Sequence, residues 1–333
     1  MAIIEVLDLV KVYPGEIRAV GGITFSVRPG EVFGFLGPNG AGKTTTIRML
    51  ITLLRPTSGQ ALIDGIDVQR RPEEVRSRIG YAAQFIGVDD DLTGRENLIL
   101  QGRLQGLRST VAAVRADELL EVMDLTEAAG RRAATFSGGM RRRLDLAQAL
   151  VHGPRLLFLD EPTTGLDPQN RRALWEYLRR LNADGVTIFL TTQYLEEADE
   201  LAQRLAIIDQ GRLVAEGSPE SLKAELGGDV ITVGLPEGAD EEQAGRAGRV
   251  LTGLDGAGTV KAYDHSVSVF VKDGSRRLAD VVRRLDEAGV PMARLELAEP
   301  TLDDVFLRHT GERMRAEEVR PPSRVPGMRR RKS

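Results

Sequence analysis

Residues 37–44 read GPNGAGKT, between the apolar run EVFGFL (31–36) and TTIRMLITLL (45–54), which has a helical pattern. The eight residues fit G-x-x-x-x-G-K-[ST] and stand between a strand and a helix, the context in which such a loop cradles phosphate. Gly37, Gly40 and Gly42 let backbone N–H groups turn inward, with Pro38, Asn39 and Ala41 completing the loop. The helix that follows points the positive end of its dipole at the same anion. Lys43 is placed to reach the β- and γ-phosphates, Thr44 to ligate Mg²⁺, and Thr45 continues the cradle into the helix. The reading is therefore an α/β domain of the P-loop NTPase kind, for a nucleoside triphosphate with Mg²⁺.

Further along, LLFLDEP (156–162) supplies two carboxylates at the end of another buried strand. Asp160 is placed to hold the metal, usually through water. Glu161 beside it is placed to orient and deprotonate a water attacking the γ-phosphate. A third apolar run, VTIFLTT (186–192), ends at Gln193, again at the carboxyl edge where open α/β sheets hold their ligands. DPQNRRALWEYLRRLNADG (167–185) is a helix with Asp167 as N-cap, Pro168 in its first turn and Gly185 as its stop. Leu174, Tyr177, Leu178 and Leu181 form its apolar stripe.

These motifs, with FSGGMRRRLDLA (136–147), LTGRENL (92–98) and LTTQYLEEAD (190–199), come in a fixed order. In that order the chain resembles the nucleotide-binding subunits of ABC transporters, and within them the daunorubicin/doxorubicin resistance branch of bacterial drug exporters. The resemblance covers residues 4–226, and EPTLDDVFLRHTG (299–311) adds a weaker match. It implies that Tyr13 stacks on adenine and that Gln84 touches Mg²⁺ and the attacking water. It implies that Ser137, Gly138 and Gly139 meet the γ-phosphate held by a second copy of the chain, and that Asp167 lies in the loop crossing that dimer interface. Lys43, Gln84, Glu161 and Gln193 are then the catalytic set, and Thr44, Gln84 and Asp160 the Mg²⁺ set.

Two positions depart from the general pattern of that superfamily: Met140 where the signature ends in glutamine, and Gln193 where a histidine meets the γ-phosphate. Both match the drug-resistance branch. An ATPase that powers export of a hydrophobic drug through a separate transmembrane permease is the implied function. An endogenous lipid or glycan as cargo is the alternative. A soluble ABC protein of translation or repair fits less well, because those carry two cassettes or a long coiled coil.

Composition sets outer limits. With 333 residues, 41% hydrophobic and 28% charged, the chain has material for about two domains of ordinary size. The formal net charge of −4 argues against a nucleic-acid binder that relies on bulk positive charge. There is no cysteine, which excludes disulfides, thiolate catalysis and Cys-ligated metals. Neither a secretory leader nor a run of about 20 apolar residues is present, so the expected place is the cytoplasmic face of the plasma membrane, with contact through the permease.

The expected organisation is an ATP-binding domain at 1–226 with a helical subdomain at about 92–152. A C-terminal α+β domain at 229–310 follows the break at Gly227 and Gly228. Its order is βαββαβ, the ferredoxin-like arrangement, and it holds no cluster of catalytic residue types. Asp264 and His265 fall in its hairpin turn. It is expected to stabilise the dimer or regulate its coupling. Residues 313–333, rich in proline and arginine, are expected to be a disordered basic tail. Arg141, Arg142 and Arg143 are expected to lie on a solvated helix face.

Overall fold

The computed structural model describes residues 1–236, 238–263 and 265–310. The expected tail at 313–333 and the turn residue Asp264 lie outside the described residues.

The chain opens with strands β1 (Ile4–Tyr13), β2 (Ile17–Val27) and β3 (Val32–Leu36), then helix α1 (Lys43–Leu50). Next come β4 (Ser58–Ile63), β5 (Ile66–Asp67), the short α2 (Pro72–Arg76) and β6 (Ile79–Ala82). Three helices follow: α3 (Gly94–Leu104), α4 (Ser109–Val122) and α5 (Gly138–Leu150). The α/β alternation resumes with β7 (Leu156–Asp160), α6 (Pro168–Ala183), β8 (Thr187–Thr192) and α7 (Leu195–Leu201). It ends in the antiparallel pair β9 (Arg204–Asp209) and β10 (Arg212–Gly217), with α8 (Pro219–Ala224) behind it.

Strands β10-β9-β3-β8-β7-β6 form one sheet, parallel except for the β9–β10 hairpin. Strands β3, β7 and β8 are buried at every position, as expected of parallel strands covered on both faces. On one face Phe189 of β8 meets Phe25, Phe33, Phe35 and Phe158, with ring centroids 5.4–6.0 Å apart. Truncating such a residue costs about 3–5 kcal/mol, because the cavity closes only in part. The core on this face also takes in Ile47, Met49 and Leu50 of α1 and reaches a second, antiparallel sheet, β2-β1-β4-β5. That second sheet was not legible in the motifs. The opposite face packs under Leu98, Leu119, Leu120, Leu144 and Leu150 of α3–α5 and under the stripe of α6, to which Trp175 belongs as well.

The remaining elements are β11 (Asp229–Gly234), α9 (Glu241–Thr252), β12 (Ala257–Tyr263), β13 (Ser266–Val271), α10 (Gly274–Glu287), β14 (Arg294–Ala298) and α11 (Leu302–Thr310). Their sheet order is β12-β13-β11-β14, all antiparallel, the ferredoxin-like arrangement expected from the sequence. One face is closed by α9 and α10, whose Ala247, Leu251, Val281 and Leu285 cover Val233, Val267 and Val269. From the other face, Val230 and Phe270 join Leu302, Val305 and Phe306 of α11 against Leu205, Ile207 and Leu222. The two parts of the chain thus share one apolar layer.

Candidate nucleotide site

The glycine loop leaves β3 at Gly37, whose N–H donates to Thr192 O at 3.3 Å. It enters α1 through Gly42, which holds φ at 107°. A Cβ at Gly42 would lie 2.5 Å from Ala19 O on β2, so both conformation and space require glycine there. No side chain caps α1, and its first N–H groups face the loop. A cavity of about 180 Å³ opens over it, lined by Ala19, Asn39, Gly40, Gly42, Lys43, Thr44, Thr45, Gln84 and Glu161.

All of these lining residues but Ala19 were expected from the sequence, and Asp160 joins them through its bond with Thr44. Lys43 Nζ donates to Gly37 O (2.8 Å) and Pro38 O (3.1 Å) and lies 3.3 Å from Glu161 Oε1. Lys43 and Glu161 are both buried. Burial pushes the Lys43 ammonium below its ordinary range, and the Glu161 and Asp160 carboxylates partly restore it. Gln84 Nε2 donates to Glu161 Oε2 at 3.2 Å, and Thr164 Oγ1 does so at 3.4 Å. Thr44 Oγ1 donates to Asp160 Oδ1 at 3.2 Å, and Thr191 Oγ1 donates to the same oxygen at 2.6 Å.

Glu161 takes a left-handed backbone, φ 48°, held by its N–H on Thr191 O at 3.1 Å. A non-glycine residue there stores strain of order 1–3 kcal/mol, a cost met where the surroundings fix a side chain for use. Thr191 and Thr164 were not singled out from sequence. The available signal for Thr191 was its place as the first polar residue after the apolar run of β8, where it pairs with Asp160 across the β7–β8 ladder.

A divalent cation fits this donor set. Thr44 Oγ1, the Asp160 carboxylate and the carbonyl oxygen of Gln84 are the oxygen donors a hard cation takes. Among the described residues no three His, Cys, Asp or Glu side chains form a metal cluster, so phosphate oxygens and water would complete the shell.

The other expected residues stand apart from the cavity lining. Tyr13 ends β1, half-buried, with Lys11 Nζ 5.3 Å from its ring centroid. Gln193 follows β8 directly, at the edge where Thr192 receives the Gly37 N–H. It does not cap α7, whose N-cap is Tyr194 without a side-chain bond. Ser137 caps α5, accepting from Met140 N at 3.3 Å, and both Ser137 and Gly138 are exposed. At Gly139 a Cβ would sit 2.3 Å from Asn170 Oδ1, so the start of α5 touches the start of α6. Asp167, exposed, accepts from Asn170 N at 2.9 Å and from Asn170 Nδ2 at 2.6 Å. Asn170 therefore links the Ser137–Gly139 turn to the Asp167 loop.

One expectation fails. Arg142 is not on a solvated face: it is 3% exposed and paired with Asp145 at 3.1 Å. Arg141 and Arg143 keep more solvent but are tied down, to Asp90 and to Met123 O respectively. The run looked like surface because three successive charges suggest it, yet residue 142 falls on the stripe with Leu146 and Ala149 that faces the sheet.

A parallel sheet, a glycine loop opening α1 and an acidic pair at the end of β7 define a P-loop NTPase, and the helical insert α3–α5 with the Ser137–Gly139 turn makes it an ATP-binding cassette ATPase. The comparisons agree. The ABC transporter family model matches residues 20–164, and the model described as ATP-binding protein DrrA1-3-like, C-terminal domain, matches 217–310. A daunorubicin resistance ATP-binding protein of Streptomyces coeruleorubidus is 48% identical over 92% of this chain and 94% of its own. A daunorubicin/doxorubicin resistance ATP-binding protein of Streptomyces peucetius is 46% identical over 92% of both. Among solved structures, a dimeric ATP-binding cassette in a post-hydrolysis state with ADP and Pi is 26% identical, with a TM-score of 0.59. That match covers 65% of this chain and 98% of the other. The chain belongs to the daunorubicin/doxorubicin resistance ATP-binding proteins of the ABC transporter family, and it is an ATPase.

Proposed function

We propose that two copies of this chain close on two ATP molecules and that the cycle drives export of a hydrophobic drug through a separate permease. The observation that carries the reading is the buried Lys43–Glu161 contact with Gln84 attached to the same carboxylate. A γ-phosphate entering the loop competes with Glu161 for Lys43. Released from the ammonium, the Glu161 carboxylate is free to accept a proton from the attacking water, with Gln84 holding that water in line. Thr44, Asp160 and Gln84 would hold Mg²⁺, which supplies positive charge against the phosphate oxygens. Tyr13 offers a ring to the adenine. The exposed Ser137 and Gly138, with Gly139, offer N–H groups and the α5 dipole to the nucleotide of the partner copy. The Asp167 loop crosses between them.

The permease contact is proposed at a groove of about 340 Å³ beside Gln84, lined among others by Leu53, Tyr81, Phe85, Gln101, Gln105 and His152. Phe85 is 86% exposed there, an aromatic anchor without a seat in its own chain. Among the described residues no helix is long and apolar enough to cross a membrane, which supports a peripheral place at the membrane through that partner.

The cargo class rests on the relatives matched at 48% and 46%, both drug-resistance proteins. An endogenous lipid or glycan is the less supported alternative. Cells carrying the chain and its permease are expected to accumulate less daunorubicin than cells carrying Glu161→Gln. Equal accumulation would remove the drug-export reading, and identifying the copurifying membrane subunit would direct the search for another cargo. The C-terminal domain, which brings no cluster of catalytic residue types, is proposed to stabilise the dimer or tune its coupling.

A further inference from the structure

Arg142 and Asp145 are an ion pair buried at 3% and 6% exposure on α5, the helix that begins with the Ser137–Gly139 turn. Their remaining contacts all go to backbone of the two segments that carry Gln84 and Glu161. Arg142 Nη1 donates to Ala83 O at 2.6 Å, and Arg142 Nε donates to Pro162 O at 2.8 Å. Asp145 Oδ1 accepts from Gly87 N at 2.9 Å. Ala83 precedes Gln84, Gly87 lies three residues beyond it, and Pro162 follows Glu161.

We propose that Arg142 and Asp145 are positioning residues that key Gln84 and Glu161 to the location of α5, so that hydrolysis follows only when the signature turn is in place. The inference rests on the roles proposed above for Gln84 and Glu161. A structural account of the pair is weak on its own terms. Burial pulls the Arg142 guanidinium down and pushes the Asp145 carboxyl up, which means each charged form loses hydration, with the partner offsetting only part of it. Arg142 Nη2 is buried without a hydrogen-bond partner among the described residues. Apolar residues of similar volume often replace such a pair without loss of stability. What they cannot replace is three directed bonds from one helix to two loops.

The test uses the full-length chain. The double variant Arg142→Met/Asp145→Leu is expected to melt near the parent, because the two buried charges leave together. Its kcat is expected to fall about 10-fold or more with KM for ATP within about 2-fold, since misplacing reacting groups slows turnover without weakening nucleotide binding. Asp145→Asn keeps an acceptor for Gly87 N–H but turns an amide donor toward Arg142, and its kcat is expected to fall between the parent and the double variant. A folded double variant with parental kcat overturns the proposal, and so does an Asp145→Asn variant with kcat as low as the double. If the double variant does not fold, Arg142→Lys decides, because one ammonium cannot hold both carbonyls in the guanidinium's geometry: a parental kcat there overturns the proposal. Glu161→Gln is the control; if it retains kcat, the site reading fails and not the clasp.

Discussion

Lys43 Nζ and Glu161 Oε1 stand 3.3 Å apart with both side chains buried, so the cation aimed at phosphate is already neutralised by the carboxylate assigned to water. The pair makes nucleotide entry an exchange of anions around one ammonium. Glu161→Gln is expected to remove the competitor and keep the shape. ATP should then bind at least as tightly as in the parent, with hydrolysis down by about 10²–10⁴-fold, the usual contribution of a general base. Equilibrium ATP binding and single-turnover hydrolysis check both halves. Lys43→Ala should abolish binding or turnover instead, and a variant that hydrolyses at the parental rate would remove the loop assignment.

Gln193 carries neither a capping bond nor a titratable group, yet it follows β8 beside the Gly37 loop. Gln193→Ala is expected to slow hydrolysis while leaving ATP affinity and melting temperature nearly unchanged. Gln193→His should keep activity and introduce a pH dependence near 6.5, the ordinary histidine value. Steady-state rates from pH 5.5 to 8, with melts alongside, separate this from a purely structural glutamine, for which the melts would move and the rates per folded molecule would not.

Phe85→Ser removes an exposed aromatic from the groove wall and nothing from the core. ATP binding by the isolated chain should be unaffected. Copurification of a membrane subunit, or stimulation of ATPase activity by it, should be lost. Retention of both would move the permease contact elsewhere.

His152 gives the fold a pH dependence of known sign. Its Nε2 faces Ile79 O at 3.0 Å, and since a carbonyl only accepts, that nitrogen carries the proton. Nδ1 is buried without a partner among the described residues, and burial holds the ring below its ordinary value of 6.5. The unfolded chain therefore binds more protons at this site, and the stability present above pH 6.5 is lost as pH falls toward the folded value. Denaturant melts at pH 7.5 and 5.5 should show this loss, and His152→Gln should reduce the difference.

The sequence disclosed the chemistry better than the scaffold. That Lys43 meets Glu161 and Thr44 meets Asp160 was readable, because phosphate chemistry asks for those residue types at fixed spacing next to strand ends; their proposed roles await the tests above. The βαββαβ order of the C-terminal part was readable because its periods change cleanly from 2 to 3.6. The β2-β1-β4-β5 sheet was not, since its pairing joins segments as far apart as Ile4 and Ile63 and no local pattern encodes a partner. Arg142 misled for a related reason. A run of three arginines reads as solvent until one knows that carbonyls of Ala83 and Pro162 lie against the middle one.

The layer joining Val230, Phe270, Val305 and Phe306 to Leu205, Ile207 and Leu222 bears on how the molecule comes apart. Neither side can be withdrawn without wetting the other, so the chain should give one calorimetric transition, with van't Hoff and measured enthalpies in agreement. A chain cut after Leu226 keeps every residue of the candidate nucleotide site but gains a sticky apolar face, the kind of surface that drives self-association. Its failure mode would be aggregation at high concentration, not loss of ATP affinity in dilute solution. In the intact protein α11 covers this face, and because it is translated after the whole cassette, the cassette's apolar face stays open in the cell until α11 arrives.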